Sequence, residues 1–97
     1  MKTITIRAKE WFDKANGNSY FSAVVEVEKE NEVDVFKIPF QYGYGNHYET
    51  EVKAVLTEHN VISCEYGQNL RRYCEKNNIE FNSSIETECK KRELKFN

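Results

Sequence analysis

Ile4-Thr5-Ile6-Arg7-Ala8 alternates apolar and polar residues at period two, the pattern of a strand with one buried face. Asn16-Gly17 follows as a hairpin signal, since a type I′ turn needs positive φ at both central residues. Tyr20 to Glu28 then predicts a second strand with Phe21, Ala23, Val25 and Val27 on one side and Ser22, Glu26 and Glu28 on the other. A third strand returns through Val33, Val35, Phe36, Ile38 and Phe40 after a turn near Lys29 to Asn31. Its apolar parity switches between Val35 and Phe36, which calls for a β-bulge or a strand covered on both faces. Pro39 cannot donate to a ladder, so the end of this strand belongs at a sheet edge.

Beyond the glycine-punctuated loop Gln41-Tyr42-Gly43-Tyr44-Gly45-Asn46 the period changes. Tyr48, Val52, Val55, Leu56 and His59 fall at helical spacing, with Asn46 as N-cap, Glu49 reaching back as in a capping box, and Glu49 to Lys53 as an i, i+4 pair. Asn60 is placed to end that helix in the left-handed conformation. Tyr66, Leu70, Tyr73, Cys74 and Asn77 repeat the helical spacing, with Arg71, Arg72 and Lys76 turned outward and Asn77-Asn78 as the stop. The remainder reads as strand: Ile79 and Phe81, a turn at Asn82-Ser83-Ser84, then Ile85, Thr87 and Cys89. The class is therefore α+β. A three-stranded N-terminal meander joins one or two C-terminal strands in an antiparallel sheet, with two helices on one face.

Ninety-seven residues suit one domain, 1–97, with a single modest core. At 39% hydrophobic and 13% aromatic the chain is too rich in core-formers for disorder, although 31% charged residues lower its stability margin. Nothing approaches the roughly 20 apolar residues of a membrane span, and no apolar run follows Lys2, so the expected location is the cytoplasm, with no membrane partner. Cys64, Cys74 and Cys89 are an odd, widely spaced set, which fits reduced thiols, and Cys74 and Cys89 are read as core residues. The net charge of −2 is uneven: residues 1–60 hold 7 Lys and Arg against 10 Asp and Glu, residues 61–97 hold 7 against 6. Glu26, Glu28, Glu30, Glu32 and Asp34 make an acidic row, and Arg71-Arg72 and Lys90-Lys91-Arg92 make short basic clusters.

Cysteine and histidine spacings give no short metal hook, so neither a metal nor another cofactor is expected. His59 sits on the last turn of the first helix, where a histidinium suits the dipole, and His47 opens that helix beside the glycine loop. No nucleophile and base are neighbours in the sequence, and the chain is read as no enzyme. The candidate binding residues are Trp11, Tyr42, Gly43, Tyr44, Gly45 and His47. The glycines let backbone approach a ligand at a helix N-terminus, although the loop lacks the lysine and spacing of a P-loop; otherwise they only permit a tight connection. Trp11-Phe12 and Tyr20-Phe21 flank the hairpin turn, and Trp11 and Tyr20 with Arg7, Lys9 and Lys14 match the aromatic and basic mixture of single-strand nucleic-acid binders, against the acidic total charge.

Lys2-Thr3-Ile4-Thr5-Ile6-Arg7-Ala8-Lys9-Glu10-Trp11-Phe12-Asp13-Lys14, with Asn16-Gly17-Asn18-Ser19-Tyr20-Phe21-Ser22 and Pro39-Phe40-Gln41-Tyr42-Gly43-Tyr44-Gly45, resembles a group of small accessory proteins encoded by tailed phages and prophages. The resemblance covers roughly the first half of the chain. It implies the cytoplasm of an infected bacterium and a protein that binds and blocks a host protein or a defence complex, CRISPR effectors included. Three functions follow as expectations. The first is a non-enzymatic inhibitor of a host protein, using Tyr42, Tyr44, His47 and Trp11 or the acidic row from Glu26 to Asp34. The second is a nucleic-acid-binding module using the aromatics and the two basic clusters. The third is capture of a nucleotide or other anion by the Gly43 to Gly45 loop, at a homodimer interface.

Overall fold

Alternation carries the first strand past Ala8. In a computed structural model that describes residues 3–64 and 67–96, β1 spans Thr3–Asp13 and pairs antiparallel with β2, Asn18–Glu28, over its whole length. The turn between them is longer than a type I′ turn. The Gly17 amide closes it onto the Asp13 carbonyl at 2.7 Å, and only Gly17 takes positive φ, at 70°. Asp13 replaces the missing turn geometry with its side chain, which accepts from the Ala15 and Asn16 amides and from the Asn16 carboxamide. These bonds, the one to the Asn16 side chain foremost, hold the Asp13 carboxyl below its ordinary range.

β3, Val33–Tyr42, pairs antiparallel with β2 and forms one edge of the sheet. Ala23 faces Ile38 and Phe21 faces Gln41, so Pro39 and Phe40 together oppose Ser22. The bulge therefore sits at the proline, where no amide is available to be lost from the ladder, rather than at Val35-Phe36. Before it, Phe36 and Ile38 share the face of Val25 and Ala23, and Val33 and Val35 take the opposite face, where they remain exposed.

α1, His47–Glu58, and α2, Leu70–Lys76, return the chain over one face of the sheet. Both helices end in the same way. Asn60 and Asn78 take positive φ, and the amides of Val61 and Ile79 bond back to the carbonyls of Leu56 and Cys74. α2 starts at Leu70, capped by the Asn69 side chain on the Arg72 amide at 2.8 Å, and the expected contribution of Tyr66 lies outside the described residues. Asn46 makes no side-chain cap on α1.

The last strand departs most from the sequence reading. β4 is a single strand, Glu80–Glu86, which runs straight through Asn82-Ser83-Ser84 and pairs parallel with β1, so the sheet is mixed, in the order β3-β2-β1-β4. The parallel sense follows from the path. β3 and β1 point the same way, and two helices bring the chain back to the starting end before β4 begins opposite Thr3. The turn-forming side chains find partners that keep them extended: Ser84 donates to the Ile6 carbonyl and Ser83 to Glu49. Cys89 is buried but outside any strand, and a 3-10 helix, Lys91–Leu94, follows it.

The core lies between the sheet and the helices. Ile4, Ile6, Phe21, Val25, Val27 and Ile38 meet Val52, Leu56, Leu70 and Cys74, all essentially without exposure. Each such side chain contributes roughly 1.5–3 kcal/mol on leaving water. No described helix is long and apolar enough to cross a membrane.

Candidate functional site

The residues singled out from the sequence gather at one end of the sheet, on two sides of the end of β3. Tyr42 and Tyr44 stand exposed, at 57% and 68%. Gly43 lies between them and is buried, its amide bonded to the Ser19 carbonyl at 3.0 Å. A Cβ at Gly43 would come within 2.6 Å of the Phe21 ring and 2.7 Å of the His47 ring, so this position has room for hydrogen only. Gly45, at φ +61° with open space around it, serves the turn instead. The His47 amide bonds to the Tyr44 carbonyl, and its ring lies edge-on to Phe21 and 3.4 Å from the Glu51 carboxylate. Two amides of the loop are thus committed within the protein.

Trp11 is on the face of the sheet away from the helices. It stacks on Tyr20 at 5.5 Å between centroids, Tyr20 stacks on Phe40 at 5.1 Å, and the Tyr42 ring meets Tyr20 edge-on at 5.9 Å. Trp11 and Tyr42 are therefore joined through Tyr20, and Gly43 and His47 pack against Phe21 on the other side. The bulge makes this stack possible, because it turns Phe40 onto the face of Tyr20 rather than that of Phe21.

The C-terminal segment completes this second face. The Cys89 amide bonds to the Glu10 carbonyl at 3.0 Å, and the 3-10 helix packs across β1 and β2 with Leu94 fully buried. Ser22, polar and expected outside, is only 3% exposed as a result. Lys91 lies 5.5 Å from the Trp11 ring and 6.0 Å from Phe40, and Lys95 also reaches Phe40 at 6.0 Å. The two basic clusters are separated: Arg71-Arg72 belongs to α2, Lys90-Lys91-Arg92 to the aromatic face.

Glu49 plays a part that local pattern did not show. Instead of reaching back to Asn46 or along to Lys53, it points inward at 8% exposure. It accepts two bonds from Arg71, at 3.1 and 2.9 Å, and one from the Ser83 hydroxyl at 2.8 Å. The Tyr48 hydroxyl lies 2.6 Å from that of Ser83, and burial pushes the Tyr48 phenol up. Arg71 also lies 5.0 Å from the Phe81 ring. This set of charge-assisted bonds ties α1, α2 and β4 together, and no sequence spacing announces it.

The thiols share one trend. Burial raises Cys64 and Cys89, and it pushes Cys74 up to about 11, so all three are poorer thiolates than an exposed cysteine. Among the described residues no group of acidic, histidine and cysteine side chains is arranged to hold a metal ion. No family model, curated protein or solved structure matches this chain.

Proposed function

We propose that this chain is a non-enzymatic binding protein that grips a partner protein along β3 and the tyrosine loop after it. One observation carries the reading. Of the six large apolar side chains exposed among the described residues, four, Val33, Val35, Tyr42 and Tyr44, lie on this edge strand and its loop. An edge strand offers unpaired backbone groups to an incoming strand, and exposed apolar side chains beside them supply contact area.

The flanking charge narrows the partner. Around the turn between β2 and β3, Lys29 pairs with Glu32 and Asp34, and among the described residues Glu28 and Glu30 have no ion pair. These free carboxylates favour a partner whose docking strand is followed by basic residues. The likeness to phage accessory proteins supplies the setting, in which that partner is a host protein of an infected bacterium, such as a component of a defence complex. The raised thiols support a role in binding rather than nucleophilic chemistry.

The test is affinity capture from nuclease-treated bacterial lysate with wild type, a Val33→Lys/Val35→Lys variant and a Tyr42→Ala/Tyr44→Ala variant. A stoichiometric protein partner retained by wild type and lost by both variants is the expected result. Equal retention by all three proteins, or no retained protein, rejects the reading.

A further inference from the structure

We propose that the cleft between the end of β1 and the C-terminal turn binds a nucleotide, its base against the exposed Phe12 ring and its phosphate among Lys14, Lys90 and Lys91. This site is separate from the β3 edge and does not rest on partner binding there.

The cleft has a volume of about 560 Å³, within the range of pockets that take small ligands. It arises where Glu88, at φ 60°, turns the chain after β4 and the Cys89 amide fastens it to Glu10. That fold-back sets Lys90 and Lys91 opposite Trp11, Phe12 and Lys14, residues some eighty positions earlier. Phe12 is half exposed, an apolar ring left at the surface with lysines for neighbours.

The charge there is mainly positive. Among the described residues Lys14, Lys90 and Lys91 form no salt bridge, so their ammonium groups are open to a ligand. Against these three cations the cleft lining holds one carboxylate, Glu88. Asp13 stays ionised and its charge interacts with Lys91, which offsets part of the positive charge and leaves the cleft net positive. A simple anion would use the lysines and leave the rings idle; an aromatic ring carrying a phosphate uses both.

Such a ligand is either a free nucleotide or one residue of a single strand. The acidic total charge is no obstacle to a local contact, since screening confines it to about 10 Å at ordinary ionic strength.

Trp11, the single tryptophan, reports directly on the site. Its fluorescence would be titrated with inorganic phosphate, with AMP and ATP, and with a short single-stranded oligothymidylate at several salt concentrations. Saturable quenching by the nucleotides and the strand identifies a free-nucleotide site, and quenching by the strand alone identifies a strand site; either supports the proposal. Lys90→Ala/Lys91→Ala should weaken binding by about tenfold or more and flatten the salt dependence by roughly one unit of slope. Phe12→Ala should weaken it with the slope unchanged, and Arg72→Ala on α2 should leave it intact. Circular dichroism would verify the fold of each variant. Quenching by phosphate as strong as by nucleotides, no quenching, or wild-type binding by both the lysine and the Phe12 variants overturns it.

Discussion

The Arg71 guanidinium lies against the Glu49 carboxylate in a two-pronged contact, Nε to Oε1 at 3.1 Å and Nη2 to Oε2 at 2.9 Å, with the acid buried and the base 60% exposed. The asymmetry decides what removal does. Arg71→Ala leaves a buried carboxylate with the Ser83 hydroxyl as its remaining donor, at a cost of about 2 kcal/mol, less than for a fully buried pair because water reaches the arginine side. The expected fall in Tm is roughly 10 °C. Adding Glu49→Met should recover part of the loss, because the stranded charge is gone; a double variant that loses the sum of both single effects contradicts this account.

Gly43 and Gly45 should respond differently to alanine. At Gly43 the new methyl group would strike the buried Phe21 ring, which has nowhere to move, so a loss of about 2 kcal/mol is expected. At Gly45 space is open and only the positive φ opposes, for about 1 kcal/mol, and Gly45→Asn should be milder still. Urea denaturation of the three variants measures the order; Gly45→Ala as costly as Gly43→Ala would contradict it.

Leu94 anchors the C-terminal segment on the second face of the sheet, with no exposure at all. Leu94→Ala should cost about 3 kcal/mol. The effect should be local: amides of residues 87–96 should lose hydrogen-exchange protection first, and Trp11 emission should shift to the red as Lys91 and its neighbours lift away. A uniform loss of protection across β1 and β2 would show instead that the segment belongs to the main cooperative unit.

The Cys74 thiol, raised by burial from an ordinary 9.0 to about 11, makes stability depend on alkaline pH. Below pH 9 the thiol is protonated in both states and contributes no slope. Between about 9 and 11 the unfolded chain releases the proton and the folded chain keeps it, so stability falls as pH rises. Cys64, Cys89 and the Tyr48 phenol, also raised by burial, act in the same direction. Denaturation at pH 8, 9, 10 and 11 should show this decline, and Cys74→Val should flatten it; an unchanged slope in the variant would assign the effect to the other groups.

Local pattern was informative wherever the relevant physics was local. Strand faces followed from period two, and Phe21, Ala23, Val25 and Val27 are buried together as the alternation requires. Helix ends followed from the tolerance of asparagine for positive φ, and Asn60 and Asn78 adopt it. The turn at Asn82-Ser83-Ser84 failed for the converse reason. Those residues favour turns in isolation, but a ladder to β1 and bonds to Glu49 and the Ile6 carbonyl offer more than a turn does.

Legible in the residues alone were the α+β class, the three N-terminal strands with the faces of the first two, the two helices and the burial of Cys74 and Cys89, because each rests on side-chain period, on burial preference or on the backbone preference of single residues. It took the folded chain to set β4 parallel beside β1, to place the β3 bulge at Pro39, to turn Glu49 inward to Arg71 and to lay Lys91 over Trp11. Those outcomes join residues up to 80 positions apart, and no local preference records them. They are fixed by which edge the returning chain can reach and by what its buried polar groups must find when it arrives.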